Sequence, residues 1–306
     1  MTDYDVIILG GGPAGLSAGM YLSRAKQRVL ILDKGTAGGQ VLLTHAVANY
    51  PGLPELSGYQ LASAMKKQAK DFGCTILSST AVERIDLKPD IKTLVTEEGS
   101  FTARSVILAM GGSPRTLGLE SEIRLKGKGI SYCATCDGDF FTGQDIVVVG
   151  GGNSALEEAV SLTAYARQVT VVHQFDHFQA YEHAVREARA NDKIDFIMES
   201  TVAEFLGENS LQGVMIRHIP SGREHRLDVT GAFIFIGYVP ETELVKNCVV
   251  LNDRGEIVAD EAMATSVPGV FAAGDARAKR YRQITTAVGD GTVAALSAME
   301  YLQGRF

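Results

Sequence analysis

Val6-Ile7-Ile8-Leu9-Gly10-Gly11-Gly12-Pro13-Ala14-Gly15 decides how this chain is read. Its apolar opening has no alternation, which marks a strand buried on both faces, as in parallel sheets. The glycines follow at G-x-G-x-x-G spacing, and residues 16–22 read as a helix. Gly10 permits the tight turn, Gly12 lets the backbone approach a pyrophosphate, and Gly15 lets helix and strand pack closely. The helix N-terminus then faces the phosphate charge. A second apolar strand, Val29-Leu30-Ile31-Leu32, ends at Asp33, 18 residues past Gly15. That is where a carboxylate binds a ribose hydroxyl in a dinucleotide-binding βαβ unit.

The pattern returns 140 positions later. Ile146-Val147-Val148-Val149 precedes Gly150-Gly151-Gly152-Asn153-Ser154-Ala155, with alanine as a common variant of the third glycine. Residues 155–165 read as a helix, and Val169-Thr170-Val171-Val172 ends at His173-Gln174-Phe175. A chain of 306 residues is long for one domain and comfortable for two. Glycine and proline punctuate residues 111–115 and 237–242, which read as crossovers between domains. Residues 58–72 read as a helix with Lys66, Lys67 and Lys70 on an exposed face, and 81–87, 92–96 and 106–110 as strands. Residues 211–218 and 224–229 read as a hairpin around Pro220-Ser221-Gly222. Val270-Phe271-Ala272-Ala273-Gly274-Asp275 reads as a short strand, and a last helix runs to about Leu302. Lys279, Arg280 and Arg282 form a basic cluster, of which the first two read as readily as solvated surface.

Hydrophobic residues make up 45% and charged residues 21%, so a globular core is affordable. The net charge of -7 argues against a nucleic-acid or anionic-membrane surface. The polar start Met1-Thr2-Asp3-Tyr4-Asp5 has no basic leader region, and no apolar run is long enough to span a membrane. A cytoplasmic enzyme is expected.

Cys74 and Cys248 are isolated and read as small buried hydrophobes. Cys133-Ala134-Thr135-Cys136-Asp137-Gly138 lies between the two glycine turns. A C-x-x-C can be half a zinc site, but there is no second C-x-x-C and no histidine pair at finger spacing. His173, His177 and His183 align on no regular element, so no metal site is expected. A redox dithiol is the stronger reading.

On these residues the chain resembles the low-molecular-weight thioredoxin reductases, which are FAD-dependent disulfide reductases. The motifs run nearly end to end: Gly10 to Gly15, Gly38-Gly39-Gln40, Asn49-Tyr50-Pro51-Gly52, Cys133 to Gly138, Gly150 to Ala155, residues 237–242, Gly274-Asp275 and Arg282-Gln283-Ile284. The resemblance implies an α/β protein of two Rossmann-like dinucleotide-binding domains, three-layered with parallel sheet cores, the second inserted in the first. An FAD domain would be made of 1–113 and 244–306, with a dithiol-bearing, pyridine-nucleotide-type domain at 114–243. It also implies a homodimer.

By position, Gly10, Gly12, Pro13, Ala14 and Gly15 would turn around the FAD pyrophosphate, and Asp33 would hold the adenosine ribose. Gly38, Gly39, Gln40 and Asn49 would line the flavin. Asp275 with Arg282, Gln283 and Ile284 would meet its ribityl and ring side. Lys34, Val82, Ala109, Gly111 and Gly274 complete the implied FAD set. The family usually has threonine where this chain has Met110, a change of little expected consequence for FAD.

The resemblance also implies roles at the dithiol. Cys136 would receive two electrons from reduced flavin. Cys133 would leave as thiolate and attack the disulfide of a thioredoxin-like protein. Asp137 would act as general acid or base; aspartate there also suits a helix N-cap. A domain rotation would present Cys133 outward.

One motif departs from the family. Its NADPH clamp is a His-Arg-Arg-x-x-x-Arg run whose arginines hold the 2′-phosphate. Here the run is His173-Gln174-Phe175-Asp176-His177-Phe178-Gln179. All three arginines are gone and Asp176 adds a negative charge. An NADH-type site wants an acid at the strand end, where this chain has His173 and Gln174. NADPH is therefore not expected as donor; reduced ferredoxin, another flavin, a deazaflavin or NADH are the candidates. The second glycine turn stands as readily for packing as for a nucleotide. A dithiol oxidase of a small molecule and a non-catalytic redox sensor are the alternative functions.

Overall fold

Strands with no polar break must be covered on both faces, and that requirement organises the molecule. The computed structural model describes residues 2–44, 47–88 and 90–306; Met1, at the head of the polar start, lies outside them. The chain divides into two compact units, Met1–Ser113 with Val239–Phe306, and Pro114–Tyr238.

The first unit begins with β1 (Tyr4–Leu9), α1 (Pro13–Arg24), β2 (Val29–Leu32), α2 (Gly58–Asp71) and β3 (Thr75–Leu77). It continues through β4 (Val82–Asp86), β5 (Lys92–Thr96) and β6 (Gly99–Leu108). The linking strands are β7 (Gly112–Pro114) and, on the return, β16 (Tyr238–Pro240); the two pair with each other. Between them the second unit holds α3 (Glu120–Leu125), β8 (Ile130–Ser131), α4 (Ala134–Asp137), β9 (Asp145–Val149), α5 (Asn153–Leu162) and β10 (Gln168–Val172). Then come α6 (Glu182–Arg189), β11 (Ile194–Ile197), β12 (Ser200–Leu206), β13 (Gly213–His218), β14 (Glu224–Leu227) and β15 (Gly231–Ile234). The first unit closes with β17 (Val270–Ala272) and α7 (Ile284–Leu302).

In the first unit the sheet order is β3-β2-β1-β6-β5-β4, with β17 also on β6. The first three strands, β6 and β17 are mutually parallel, and β4, β5 and β6 form an antiparallel edge. β6 begins at Gly99, earlier than the expected 106, because its first half pairs with β5 while Val106, Ile107 and Leu108 pair with β17. Val6 and Ile8 pack toward α1 and α7, while Ile7 and Leu9 pack toward Leu94, Val245 and Ile257. Each such side chain contributes about 1.5–3 kcal/mol of burial. Small residues bring α1 and α7 together: a Cβ on Gly291 would fall 2.1 Å from the Ala14 carbonyl oxygen.

In the second unit the sheet β11-β10-β9-β15-β8 is parallel throughout. A three-stranded antiparallel sheet, β12-β13-β14, stands beside it and contains the expected hairpin. Both parallel sheets are flanked by helices, so the fold is two Rossmann-like α/β units.

The return crossing comes earlier than the expected domain boundary at 243. Residues 239–243 belong to the first unit. The Glu241 amide donates to the Gly111 carbonyl at 3.0 Å, and Thr242 Oγ1 donates to the Gly255 carbonyl at 2.7 Å. Among the described residues no helix is long and apolar enough to cross a membrane.

Candidate active site

Cys133 and Cys136 form a disulfide, with Cα atoms 5.3 Å apart. The four-residue helix α4 carries Ala134, Thr135, Cys136 and Asp137, and Cys133 is its N-cap residue. Asp137 is therefore not an N-cap of α4, as its residue type allowed. It also makes no side-chain cap to the 3-10 turn Gly138–Phe141 that follows. Its Oδ2 instead accepts from Ser131 Oγ at 2.5 Å. Burial pushes the Asp137 carboxyl up, the Ser131 hydrogen bond pulls it down, and the nearby Asp139 charge adds to the rise. Ser131 Oγ also accepts from the Cys133 amide at 3.0 Å. One residue further on, the Tyr132 hydroxyl donates to Glu122 Oε1 at 2.6 Å, and the Gly118 amide donates to Glu122 Oε2 at 2.9 Å. Burial, then Glu122, pushes the Tyr132 phenol well above its ordinary value.

The first glycine turn sits where β1 ends. Gly10 has φ +104°, and a Cβ there would lie 2.3 Å from the Ala109 carbonyl oxygen, so only glycine fits. A Cβ on Gly15 would lie 1.9 Å from the Gly10 carbonyl oxygen. The Gly11 amide donates to Asp33 Oδ2 at 2.6 Å, and the Gly35 amide to Asp33 Oδ1 at 2.8 Å. The Gly38 amide closes back on the Gly11 carbonyl at 2.7 Å. Gly39 lies against Gly12, and Gly274, at the end of β17, against Ala14. Asn49 Nδ2 donates to Gln283 Oε1 at 3.4 Å.

A buried charge network backs Gly274 and Asp275. Asp290 Oδ2 accepts from the Gly274 amide at 3.1 Å and from Lys279 Nζ at 2.7 Å, and Asp290 Oδ1 takes Arg277 at 3.2 Å. The Lys279 side chain is 9% exposed, so it is not solvated surface; Arg280 is exposed. Arg282 donates to the buried Glu256. Asp275 Oδ1 is buried with no hydrogen-bond partner among the described residues, its cation Lys279 standing 4.0 Å away. Burial pushes the Asp275 carboxyl up, against Lys279 and Arg282, which pull it down.

The second glycine turn repeats the first. Gly150 has φ +138°, and a Cβ there would lie 2.3 Å from the Phe235 carbonyl oxygen. The His173 ring occupies the space beside Gly151, and the Gln179 amide closes back on the Gly151 carbonyl at 2.9 Å. His173 is buried, stacks on Phe178, and donates from Nε2 to the His177 carbonyl at 3.0 Å. Burial pushes its pKa down, so the imidazole is neutral at pH 7. Asp176 pairs with its own neighbour His177 at 2.6 Å on the surface. No group of three or more metal-ligating side chains converges among the described residues.

The family model for pyridine nucleotide-disulphide oxidoreductases matches residues 4–291 of this chain. The chain belongs to that family. It is 42% identical over 301 residues to the "34.2 kDa protein in rubredoxin operon" of Clostridium pasteurianum, covering 98% of each chain. It is 43% identical to the thioredoxin reductase of Listeria monocytogenes, covering 98% of this chain and 94% of that one. The crystal structure of thioredoxin reductase from Streptococcus pyogenes matches with a TM-score of 0.95 at 42% identity, covering 98% of each chain. This family member is thus an FAD-dependent oxidoreductase of the thioredoxin reductase type.

The first unit's residues fit FAD. A Cβ on Gly12 would have only Gly39 Cα, at 3.9 Å, within reach, which leaves room at the turn for a pyrophosphate. Asp275 Oδ1 is a buried acceptor still lacking a donor, as a ribityl hydroxyl would supply. The fold gathers Gly10, Gly12, Pro13, Ala14, Gly15, Asp33, Gly38, Gly39, Ala109, Gly274 and Asp275 near the C-terminal ends of β1, β2, β6 and β17, the usual ligand edge of such sheets. Gln40 lies exposed on the 3-10 turn Gly39–Leu43, and Ile284 opens α7. Gly111 takes φ +66° at the crossover. Lys34 is exposed and ion-paired with Glu241 at 2.9 Å, and the Val82 side chain packs with the sheet's apolar cluster. Ser131, Glu122, Glu256 and Asp290 escaped the sequence reading. No spacing rule marks them, because each acts through a partner that only the fold brings close.

Proposed function

We propose that this enzyme passes electrons from FAD through the Cys133/Cys136 dithiol to the disulfide of a thioredoxin-like protein, and that its donor is not NADPH. When bound, FAD supplies a two-electron carrier. Cys136 accepts the electron pair, and Cys133 is released as the thiolate that attacks the partner's disulfide. Asp137, buried and hydrogen-bonded by Ser131, gives or takes the proton of each exchange. On the FAD side, Asp33 orients Gly11, and the Asp290 network holds Gly274 and Asp275 toward the cofactor. In the same reading the enzyme is a cytoplasmic homodimer. The resemblance alone supports its assembly.

The observation that carries the donor proposal is the segment from His173 to Gln179. It offers two imidazoles, two phenyl rings, two amides and one carboxylate where three guanidinium groups would hold a 2′-phosphate. A phosphate dianion finds no lysine or arginine on this segment. Candidate donors are reduced ferredoxin, another flavin, a deazaflavin or NADH.

The dithiol role is tested without any donor. Holoenzyme reduced photochemically should convert oxidised thioredoxin to its dithiol in one turnover. Cys136→Ser should leave Cys133 trapped as a mixed disulfide with the partner. Full thioredoxin reduction by the Cys136→Ser variant would overturn the assignment.

A further inference from the structure

The dithiol exchange delivers two protons to the partner, and the arrangement around Asp137 says which oxygen handles the one that the enzyme supplies. Ser131 ends β8, two residues before Cys133. Its hydroxyl has one proton and two acceptors within reach, Asp137 Oδ2 at 2.5 Å and the Cys133 carbonyl at 3.3 Å. The shorter, charge-assisted contact takes the proton. The same oxygen accepts the Cys133 amide at 3.0 Å. The Asp137 amide in turn donates to the Cys133 carbonyl at 3.2 Å. Ser131, Cys133 and Asp137 therefore close a small hydrogen-bonded ring around the start of the dithiol helix.

We propose that Ser131 is a positioning residue for the exchange: it fixes Asp137 by Oδ2, so that the transferable proton is carried on Oδ1. The proposal rests on the acid–base role given above to Asp137. With the dithiol reduced, the Cys133 thiolate attacks one sulfur of the partner disulfide. A new S–S bond forms, the partner's bond breaks, and its leaving thiolate takes the proton from Asp137 Oδ1. The Asp137 carboxylate then takes the proton of the Cys136 thiol. The Cys136 thiolate attacks Cys133 Sγ, the enzyme disulfide closes, and the second partner thiolate is protonated from solvent. The partner gains two electrons and two protons; the enzyme dithiol supplies both electrons and, through Asp137, the Cys136 proton, and solvent supplies the second proton.

Among the described residues no cation is a resolved influence on the Asp137 carboxyl. β8, α4 and the 3-10 turn Gly138–Phe141 carry no lysine, arginine or histidine, and α5, which packs on α4, carries Glu157 and Glu158. Asp139 is the charge that bears most on Asp137, and it acts to raise the carboxyl. Among the described residues the Ser131 hydroxyl is the one group that favours the ionised form, so losing it moves the titration up.

The test is the pH dependence of single-turnover exchange between photoreduced holoenzyme and bis(2-hydroxyethyl) disulfide, whose leaving thiolate needs a proton. Released thiol is counted after quenching. Asp137→Asn should remove one limb of the profile. Ser131→Ala should move that limb up by about half a pH unit or more, and Ser131→Thr should restore it. Retention of the flavin spectrum checks that each variant is folded. If Asp137→Asn removes the limb and Ser131→Ala leaves it in place, Ser131 is not the positioning residue. If Asp137→Asn leaves the profile intact, the acid–base reading of Asp137 fails and takes this inference with it. Infrared difference spectra of the parent enzyme give a second readout should Ser131→Ala not fold. A hydrogen-bonded carboxylic acid band lost in Asp137→Asn supports the assignment, and a free-acid band in its place contradicts it.

Discussion

The two glycine turns of this chain are built alike and finished differently. Gly10 and Gly150 both take positive φ, and each leaves no room for a Cβ before a carbonyl 2.3 Å away. In both, a later amide closes back on the middle glycine: Gly38 on Gly11, Gln179 on Gly151. In both, the residue at the end of the second strand fills the space beside that glycine. In the first turn it is Asp33, whose carboxyl group takes the Gly11 amide. In the second it is His173, buried and neutral. The glycine spacing therefore records what a βαβ turn needs in order to pack, and the strand-end residue records what the turn can hold.

The strongest way to break this comparison is to test how tight each turn is. Gly15→Ala places a Cβ 1.9 Å from the Gly10 carbonyl oxygen. Overpacking at a backbone atom should cost more than about 3 kcal/mol, and the variant should purify without flavin. Flavin content after desalting is the measurement.

Supplying the missing cations to the second turn should come next. Gln174→Arg, Phe175→Arg and Gln179→Arg together should tighten NADPH binding about 100-fold or more, from charge-assisted hydrogen bonds of about 1.5–3 kcal/mol each. Calorimetry with NADPH and NADH side by side would show whether the gain is specific to the 2′-phosphate. An equal gain for both would undercut the reading of the segment.

A smaller effect is expected at Asp33. Asp33→Asn weakens the acceptor for the Gly11 and Gly35 amides and removes the charge, and should weaken FAD binding about tenfold. His173→Asn should leave FAD binding unchanged. The smallest effect belongs to Ala155→Gly, which should cost the second unit about 1 kcal/mol in thermal denaturation and leave FAD untouched.

The glycine turns, their strands and the dithiol were legible because each is a local pattern with a steric or chemical reason. The residues that support them were not. Lys279 stood in a run of basic residues and read as readily as surface, yet its counter-ion Asp290 lies 11 positions on, along α7, and draws it inside. Asp137 had the residue type of an N-cap, but α4 begins at Ala134, so its carboxylate points to Ser131 instead. The return crossing falls inside the stretch read for it, 237–242, but the domain boundary at 243 came a few residues late, because the contacts of Glu241 and Thr242 with Gly111 and Gly255 leave no trace in local composition. β6 looked short because only its last three residues, Val106, Ile107 and Leu108, are uniformly apolar; its first half is held by pairing with β5.

In the function proposed above, the second turn serves packing and does not hold NADPH. Anaerobic titration of the oxidised holoenzyme, followed at the flavin absorbance band, tests it most directly. Micromolar NADPH should leave the flavin oxidised, while a low-potential protein donor such as reduced ferredoxin should bleach it and then reduce the dithiol. Rapid, stoichiometric bleaching by micromolar NADPH would contradict it.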